Sequence, residues 1–217
     1  MRILEPSSQL TTDQELGVQQ CLADGFSDKL FNTIESPKLA RDVIYLLYRY
    51  RIFPADTKLV ATDDRGHVIG VVLLGPHNVS ILMLISLLIR LLFKLTLKQV
   101  YCVCRGLLLL ERLTKSHSKG ELPELSMISV RGDMTGCGVG SMLLYRVNEL
   151  ILSRKYPIHT ANSDRMVLIA YEQNPAIKLY MRHGYSIVKR DSNAAFFRLG
   201  GEKYSTFVVM EKKFTTR

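Results

Sequence analysis

The sequence is poor in cysteine and lacks the residue spacings that are typical of structural metal sites. Neither CxxC nor HExxH occurs, and four cysteines are too few for a disulfide scaffold: Cys21, Cys102, Cys104 and Cys137. Residues 1–6 include neither the apolar segment nor the cleavage site of a secretory signal peptide. These absences predict a cytoplasmic protein with reduced thiols that binds no metal.

The composition also lacks the bias of disordered or low-complexity chains. Of the 217 residues, 47% are hydrophobic and 23% are charged, and glycine and proline occur at ordinary levels. A domain of this size buries roughly 70% of the surface of its unfolded chain, so it needs neither disulfides nor metal for stability. No repeat or interdomain linker is visible. We therefore expect one domain spanning residues 1–217.

Acidic residues are in the minority. The net charge is +9, from 29 lysines and arginines against 20 acidic residues. Such a balance favours polyanionic partners, which include cofactor phosphates, nucleic acids and membrane surfaces. Because the excess is spread along the chain rather than held in one tail, we expect an ordinary basic surface and no nucleic-acid partner.

The N-terminal third carries clear signals for two helices and a hairpin. Thr12–Glu15 matches a capping box, which predicts that a helix begins there, and Ser36-Pro37 predicts the start of a second helix. The segments 58–62 and 67–74 are rich in β-branched residues, and Asp63–Gly66 between them has the composition of a hairpin turn. Two helices followed by an antiparallel hairpin indicate an α+β fold.

A long apolar stretch from Val79 to Leu97 raises the question of membrane insertion. Fourteen of its nineteen residues are apolar, which is near the length of a spanning helix. Arg90 and Lys94 argue against a span, because each would cost about 2.5–3.5 kcal/mol at a bilayer centre. A polar stripe runs along this helix and consists of Ser86, Arg90, Lys94 and Lys98. We expect a helix packed against protein, followed by a second helix over residues 100–115; a membrane-interface helix and a spanning helix are the alternatives.

A glycine-rich loop follows the next predicted strand. Leu125–Val130 has strand character, Gly136–Gly140 is rich in glycine, and Ser141–Leu152 has helical periodicity. Glycines let a ligand approach the backbone, and the first amides of a helix point at it with the positive end of the dipole. We therefore expect a phosphate-bearing cofactor here. No Gly-Lys-Ser/Thr completes a Walker A loop, and Ser141 stands where a dinucleotide fingerprint has Gly or Ala.

Two segments resemble the signature motifs of the GNAT N-acetyltransferase superfamily. Within Val130–Leu144, the run Thr-Gly-Cys-Gly-Val-Gly resembles the acetyl-CoA motif Gln/Arg-x-x-Gly-x-Gly/Ala, with Thr135 where Gln or Arg is usual. Asn174–Tyr185 is similar to the second signature of that family, Asn-x-x-Ala-x-x-Leu-Tyr-x-x-x-Gly-Phe/Tyr. The two segments also occur in the order that the family has.

The resemblance implies an α+β fold, with a mixed, twisted GNAT-type sheet flanked by helices and a helical insertion at about residues 79–115, before the cofactor-binding strand. It implies that acetyl-CoA is the donor and that a primary amine, on a small molecule or a peptide, attacks directly in a ternary complex. Two alternatives stay open. One is a GNAT-fold regulatory module that binds acyl-CoA without turnover, and the other is a membrane-associated acyltransferase that uses a longer acyl chain.

The resemblance also assigns cofactor-binding roles to the residues of the first motif. The backbone of the strand, including Ile128 and Val130, would bind the pantetheine arm where this strand diverges from the next one, near Met166–Tyr171. The loop that includes Thr135 would hold the pyrophosphate. Its amides are those of Gly136, Cys137, Gly138, Val139, Gly140 and Ser141.

The remaining implied roles are catalytic or belong to the second motif. Asn174 would bond the pantetheine arm, and it can cap a helix at the same time. Tyr180 lies where the family often has a general acid, and a phenol stays protonated at neutral pH. Glu124 lies where some members have the base that deprotonates the amine, with Glu121 or a water relay as the alternative. Cys137 is interpreted as a small spacer, because transfer in the family is usually direct.

The insertion is expected near the acceptor side of the cleft. Arg90 or Lys94 would there face solvent or an acidic group of the acceptor, while the apolar face shapes the cleft. Tyr171 and Tyr204 would line the same cleft or belong to the core. The alternatives for the insertion are a purely structural helix pair and a homodimer interface.

Overall fold

A computed structural model describes residues 1–4, 9–30, 33–50, 57–75, 81–118, 122–153, 164–192 and 204–214. Its strands are β1 (Arg2–Leu4), β2 (Thr57–Thr62), β3 (Val68–Leu74), β4 (Glu124–Val130), β5 (Arg165–Tyr171), β6 (Ser186–Ser192) and β7 (Thr206–Lys213). Its α-helices are α1 (Thr12–Phe26), α2 (Pro37–Arg49), α3 (Ile81–Leu92), α4 (Leu97–Ser118), α5 (Val139–Leu152) and α6 (Ala176–Arg182).

The first two helices begin at capping residues. Ser36 caps α2 with proline at the first helical position, as predicted. The cap predicted for α1 at Thr12 is wrong by one residue, because Thr11 accepts from the Gln14 amide at 3.2 Å and the Gln14 side chain bonds back to Thr11. Thr11 with Gln14 and Thr12 with Glu15 both have the spacing of a capping box. Glu15, the alternative partner, instead forms an ion pair with Lys58 of β2.

Seven strands of the described chain form one sheet in the order β1-β2-β3-β4-β5-β7-β6. All neighbours are antiparallel except β4 and β5, which run parallel. The predicted hairpin is confirmed, since β2 and β3 pair around a turn in which Asp63 Oδ1 accepts from the amides of Arg65 and His67 at 2.9 Å. The predicted fold class, α+β with a mixed sheet flanked by helices, is confirmed.

Helices cover both faces of this sheet. On one face α1 and α2 pack against the centre of the sheet, with Leu22, Val43 and Val71 in a common buried cluster. On the other face α5 and α6 form a second cluster with the sheet, which includes Leu143 and Ile177. Removing apolar side chains such as these from water is the main favourable term in folding.

The apolar stretch does not form one helix, so the predicted helix over 79–97 is wrong. Residues 79 and 80 lie outside the described chain, and the turn Phe93–Thr96 separates α3 from α4. This break follows from a capping box: Thr96 Oγ1 accepts from the Gln99 amide at 3.4 Å, and Gln99 Oε1 accepts from the Thr96 amide at 3.0 Å. The polar stripe is divided as a result, because Lys94 lies in the turn and Lys98 in α4.

α3 is covered by protein on one side only. Leu87 and Leu91 are buried in the cluster that α1 and α2 form, whereas Leu82, Ile85 and Ile89 are exposed. The expectation of a helix enclosed by protein is therefore wrong for half of α3. In the part of the chain that the structure describes, no helix combines the length and apolarity that crossing a membrane requires.

The two cations expected at the acceptor cleft face α2. Arg90 Nε donates to the hydroxyl of Tyr50, the residue after α2, at 3.1 Å. Lys94 Nζ lies 2.8 Å from Asp42 Oδ2, within α2. Both cations thus have partners in their own chain, and the structure does not place them against an acceptor.

Candidate active site

β4 and β5 pair over a short length and then diverge. In the described strands, the parallel ladder joins Glu124 to Val167 and Leu125 to Leu168 and goes no further. Each strand nevertheless stays paired with its other neighbour to its end. The two strands therefore form a V that opens toward their carboxyl ends, where ligands bind to parallel strands. The divergence predicted near Met166–Tyr171 is confirmed.

A β-bulge at Ser126 marks the point where β4 leaves β5. Leu125 and Met127 face adjacent residues of β3, so Ser126 between them has no partner of its own. An extra residue of this kind bends a strand and increases its twist. The Ser126 hydroxyl holds the bulge by donating to the Gly75 carbonyl at 2.7 Å. Sequence analysis missed this residue, although apolar residues at 125, 127, 128 and 130 break the alternation of a regular strand.

The open edge of β4 presents backbone groups to the V. The Arg131 amide donates to the Ile69 carbonyl of β3 at 2.9 Å. Because strand residues alternate, the N–H and C=O groups of Ser129 also face β3, and those of Ile128 and Val130 face the V. These are the two residues that the resemblance assigns to the pantetheine arm.

The glycine loop borders open space. Gly136 and Gly138 have φ angles of 82° and 83°, and a Cβ atom added to either would meet no atom within 4 Å. This left-handed conformation strains any residue with a side chain, so glycine is required by the backbone. Gly138 is also the N-cap of α5. A ligand can thus approach the backbone of the loop and the first turn of α5 closely.

Five of the six amides assigned to the pyrophosphate have no acceptor within the described chain. They are those of Gly136, Gly138, Val139, Gly140 and Ser141. The sixth amide, that of Cys137, donates to the Met134 carbonyl at 3.3 Å and completes a turn. Thr135 is exposed, and its amide likewise donates to Gly132 at 3.3 Å. Unpaired amides at a helix N-terminus suit an anion such as a pyrophosphate.

Gly140 joins the two motifs. A Cβ atom at this position would lie 3.0 Å from Leu179 Cδ2 and 3.8 Å from Val130 Cγ2. The absence of a side chain therefore lets α5 pack closely on α6 and on the end of β4. This contact fixes the glycine loop relative to the helix that carries Tyr180.

Asn174 holds the first turn of α6. Its Oδ1 accepts from the Ala176 amide at 3.0 Å, so the side chain bonds to the first turn of α6, although the N-cap residue is Pro175 rather than Asn174. Its Nδ2 group has no acceptor in the described chain. The alignment with the signature needs a correction, however. Asn174 is one residue closer to Ala176 than the motif requires, so the motif position of the asparagine falls on Gln173, which is exposed.

Tyr180 is buried on α6, on the side of the sheet that α5 and α6 cover. Its ring belongs to the cluster between α5, α6 and the sheet and meets the Tyr185 ring edge-on, with 6.1 Å between the centroids. The Tyr185 hydroxyl donates to Met166 Sδ at 3.3 Å, whereas the Tyr180 hydroxyl has no acceptor in the described chain. Burial raises the pKa of Tyr180 above its ordinary value. This side chain therefore carries a proton at neutral pH and has an unused donor.

Glu124 is buried at the closed end of the V. Leu125 packs in the cluster of α5 and α6, so strand alternation directs Glu124 to the opposite face, which α1 and α2 cover. The candidate acid Tyr180 and the candidate base Glu124 thus lie on opposite faces of the sheet. Glu121, the alternative base, lies outside the described residues.

An aromatic cluster lies on the Glu124 face of β5 and β7. Tyr171 contacts Phe207 and Tyr204, with ring centroids 4.0 and 4.9 Å away, and Leu109 of α4 packs against the cluster. The Tyr204 hydroxyl donates to Asp28 at 2.7 Å. Both tyrosines are buried, so the structure supports their packing role; α4 is the part of the predicted insertion that reaches them.

Comparison with solved structures identifies the architecture. The chain is similar to a Corynebacterium glutamicum structure described as histone acetyltransferase HPA2 and related acetyltransferase, with 17% identity, 99% and 97% of the two chains covered and a TM-score of 0.59. It is also similar to a GCN5-related N-acetyltransferase from Kribbella flavida (12% identity, 98% and 97% covered, TM-score 0.54). A third match is PaiA N-acetyltransferase from Thermoplasma acidophilum in complex with coenzyme A (14% identity, 99% and 100% covered, TM-score 0.52).

The chain has the GNAT fold. Neither a family model nor a curated protein matches the sequence. In the GNAT fold found here, the V between β4 and β5, the glycine loop and α6 occupy one continuous region. The resemblance noted in the two sequence segments therefore falls on adjacent parts of one cleft.

Proposed function

We propose that this protein is an N-acetyltransferase, a single domain of residues 1–217 that transfers the acetyl group of acetyl-CoA to a primary amine on a small molecule or a peptide. One observation carries the proposal: the open V between β4 and β5 adjoins a loop with five unpaired amides. The strand edge has backbone donors and acceptors that an extended amide arm can bond. The loop has amide donors that a pyrophosphate can bond.

The residues around the V would have separate roles in binding acetyl-CoA and in proton transfer. The backbone of Ile128 and Val130 would bind the pantetheine arm, and the loop amides would bind the pyrophosphate. Bound acetyl-CoA supplies an activated acyl group. Glu124 would take the proton that the attacking amine loses as its nitrogen forms a bond to the acyl carbon. Tyr180 would donate its proton to the thiolate sulfur as the carbon–sulfur bond breaks.

The opposite positions of Glu124 and Tyr180 favour direct transfer. An amine that approaches from the face of α1 and α2 meets the acyl carbon on one side, while the leaving sulfur departs toward α6. Holding both reactants in this geometry supplies much of the rate enhancement of a ternary-complex enzyme.

The proposal is tested by incubating the protein with acetyl-CoA and a panel of primary amines, and measuring free thiol and acetylated amine together. We expect equal amounts of both products for at least one amine. Binding of acetyl-CoA with no thiol release from any amine would favour the regulatory module. Absence of binding would contradict the proposed site.

Replacing Glu124 with glutamine is expected to lower kcat by about 10²-fold, the lower end of the usual contribution of a general base. The loss should shrink as the pH rises, because a larger fraction of the amine is then already deprotonated. The matched control is Glu211→Gln, a buried carboxylate in the Cα register of β7 opposite Val167. Equal losses in the two variants would assign Glu124 a structural role.

Replacing Asn174 with aspartate should weaken acetyl-CoA binding by about tenfold, since a hydrogen-bond donor becomes a charged acceptor while Oδ1 stays in place to bond the first turn of α6. The thermal stability of the free protein should change little. Gln173→Ala is the comparison, measured in the same calorimetric titration. Weakening by Gln173→Ala alone would assign the pantetheine contact to Gln173.

A further inference from the structure

The outer side of α3, the turn after it and the first residue of α4 form an exposed apolar surface. Its side chains are apolar, project to solvent and recur at helical spacing: Leu82, Ile85, Ile89, Leu92, Phe93 and Leu97. Phe93 is 87% exposed and Leu97 is 77% exposed, so these two are among the most accessible large apolar side chains described. We call this set the apolar ridge. Contiguous exposed apolar surfaces mark interaction sites.

The sequence segment that contains the apolar ridge has cationic residues and no acidic ones. No acidic residue occurs between Asp64 and Glu111, whereas this segment carries several cations, among them Arg90, Lys98 and Arg105. Each of these three is exposed. Among the described residues, Asp42 of α2 supplies a carboxylate here, and it pairs with Lys94. The surroundings of the ridge are therefore suited to an anionic partner.

A groove opens beside the ridge. It has a volume of about 430 Å³ and is lined by Tyr50, Ser86, Ile89, Arg90 and Phe93. Most of its lining is apolar, and the Arg90 guanidinium lies in its wall beside the Tyr50 hydroxyl. This combination suits a ligand with a hydrocarbon chain and an anionic head.

We propose that the apolar ridge docks on the surface of an anionic lipid bilayer. A helix of this kind lies in the interface, with its apolar side in the acyl boundary and its cations at the headgroups. Tyr101 and Arg105 extend the same pattern onto α4, where the Arg105 guanidinium lies 5.8 Å from the Tyr101 ring centre. A second copy of the chain is less suited, because a symmetric contact would bring like cations together.

Docking on a bilayer would restrict the acceptors that the cleft meets to those at a membrane surface. The ridge is remote in sequence from the glycine loop and from α6, and neither Phe93 nor Leu97 belongs to the proposed catalytic set. The inference therefore stands independently of the proposed acetyl transfer.

The test is flotation of the full-length protein with phosphatidylcholine vesicles, with or without phosphatidylglycerol. We expect binding to the vesicles that contain phosphatidylglycerol, much weaker binding to the neutral vesicles, and loss of binding at high salt. The double variant Phe93→Ser/Leu97→Ser should bind at least about tenfold less, since bilayer affinity scales with buried apolar area.

The matched control is Leu16→Ser/Leu152→Ser, which removes two apolar side chains that are exposed elsewhere on the surface. It should bind like the unmodified protein, and the thermal unfolding transition of each variant without ligand, followed by circular dichroism, checks that both variants are folded. Equal binding by both double variants, or no binding by the unmodified protein, would overturn the proposal. A dimer in light scattering that the ridge variant alone dissociates, without vesicle binding, would assign the ridge to a second copy.

Discussion

Replacing Gly138 with glutamine is expected to abolish acetyl-CoA binding. The side chain would extend from the N-cap of α5 into the open space beside the unpaired amides, where the pyrophosphate is proposed to lie. For the unmodified protein, ligand at a hundredfold excess over its Kd should add about 2.7 kcal/mol to the free energy of unfolding. A thermal-shift titration should show this gain for the unmodified protein and none for the variant.

Gly66 provides the matched control for this substitution. Its φ angle is 85° and a Cβ atom would meet nothing within 4 Å, as at Gly138, but it lies in the hairpin turn between β2 and β3. Gly66→Gln should therefore cause similar backbone strain while the acetyl-CoA shift remains. A full shift in Gly138→Gln, or loss of the shift in both variants, would contradict the assignment of the loop.

Replacing Tyr180 with phenylalanine is expected to lower kcat by about 10²–10⁴-fold, the usual contribution of a general acid. The affinity for acetyl-CoA should be unchanged, because the ring keeps its place in the cluster between α5, α6 and the sheet. The stability of the fold should also hold, since the Tyr180 hydroxyl has no acceptor in the described chain. Single-turnover kinetics and a calorimetric titration measure the two quantities.

Tyr185→Phe distinguishes proton donation from packing. Tyr185 is equally buried and adjacent to Tyr180, but its hydroxyl is bonded to Met166. We expect this variant to retain its rate. An unchanged single-turnover rate in Tyr180→Phe would leave Tyr180 a packing residue, and the leaving thiolate would then need another proton source.

The parts of the site that sequence reasoning predicted are those set by local chemistry. Gly136 and Gly138 adopt the left-handed conformation that a glycine-rich turn before a helix implies, and the cap at Ser36 follows from a single dipeptide. Errors arose where neighbouring spacings compete. Thr11 and Thr12 are both suited to cap α1. Glu15 does not complete a capping box with Thr12 because it forms an ion pair with Lys58, which is distant in sequence.

The remaining features depend on pairing between distant segments. The bulge at Ser126 exists only against β3, and the V exists only because β5 stays paired with β7 beyond Leu168, where its ladder with β4 ends. The positions of Glu124 and Tyr180 on opposite faces follow from those pairings, so no local pattern contains them. A capping box between Thr96 and Gln99 is a local signal for the break. The apolar run through this position nevertheless favoured one continuous helix.

The most direct test of the proposed site is a ¹⁵N amide NMR titration with coenzyme A. We predict that the amides of Gly136, Gly138 and Val139 shift together with those of Ile128 and Val130, and that the Cys137 amide shifts less because it is already bonded to Met134. Resonances of β1 and β6, the two outer strands, should stay in place. Saturating shifts confined to segments outside the V and the loop, or no shifts, would contradict the account.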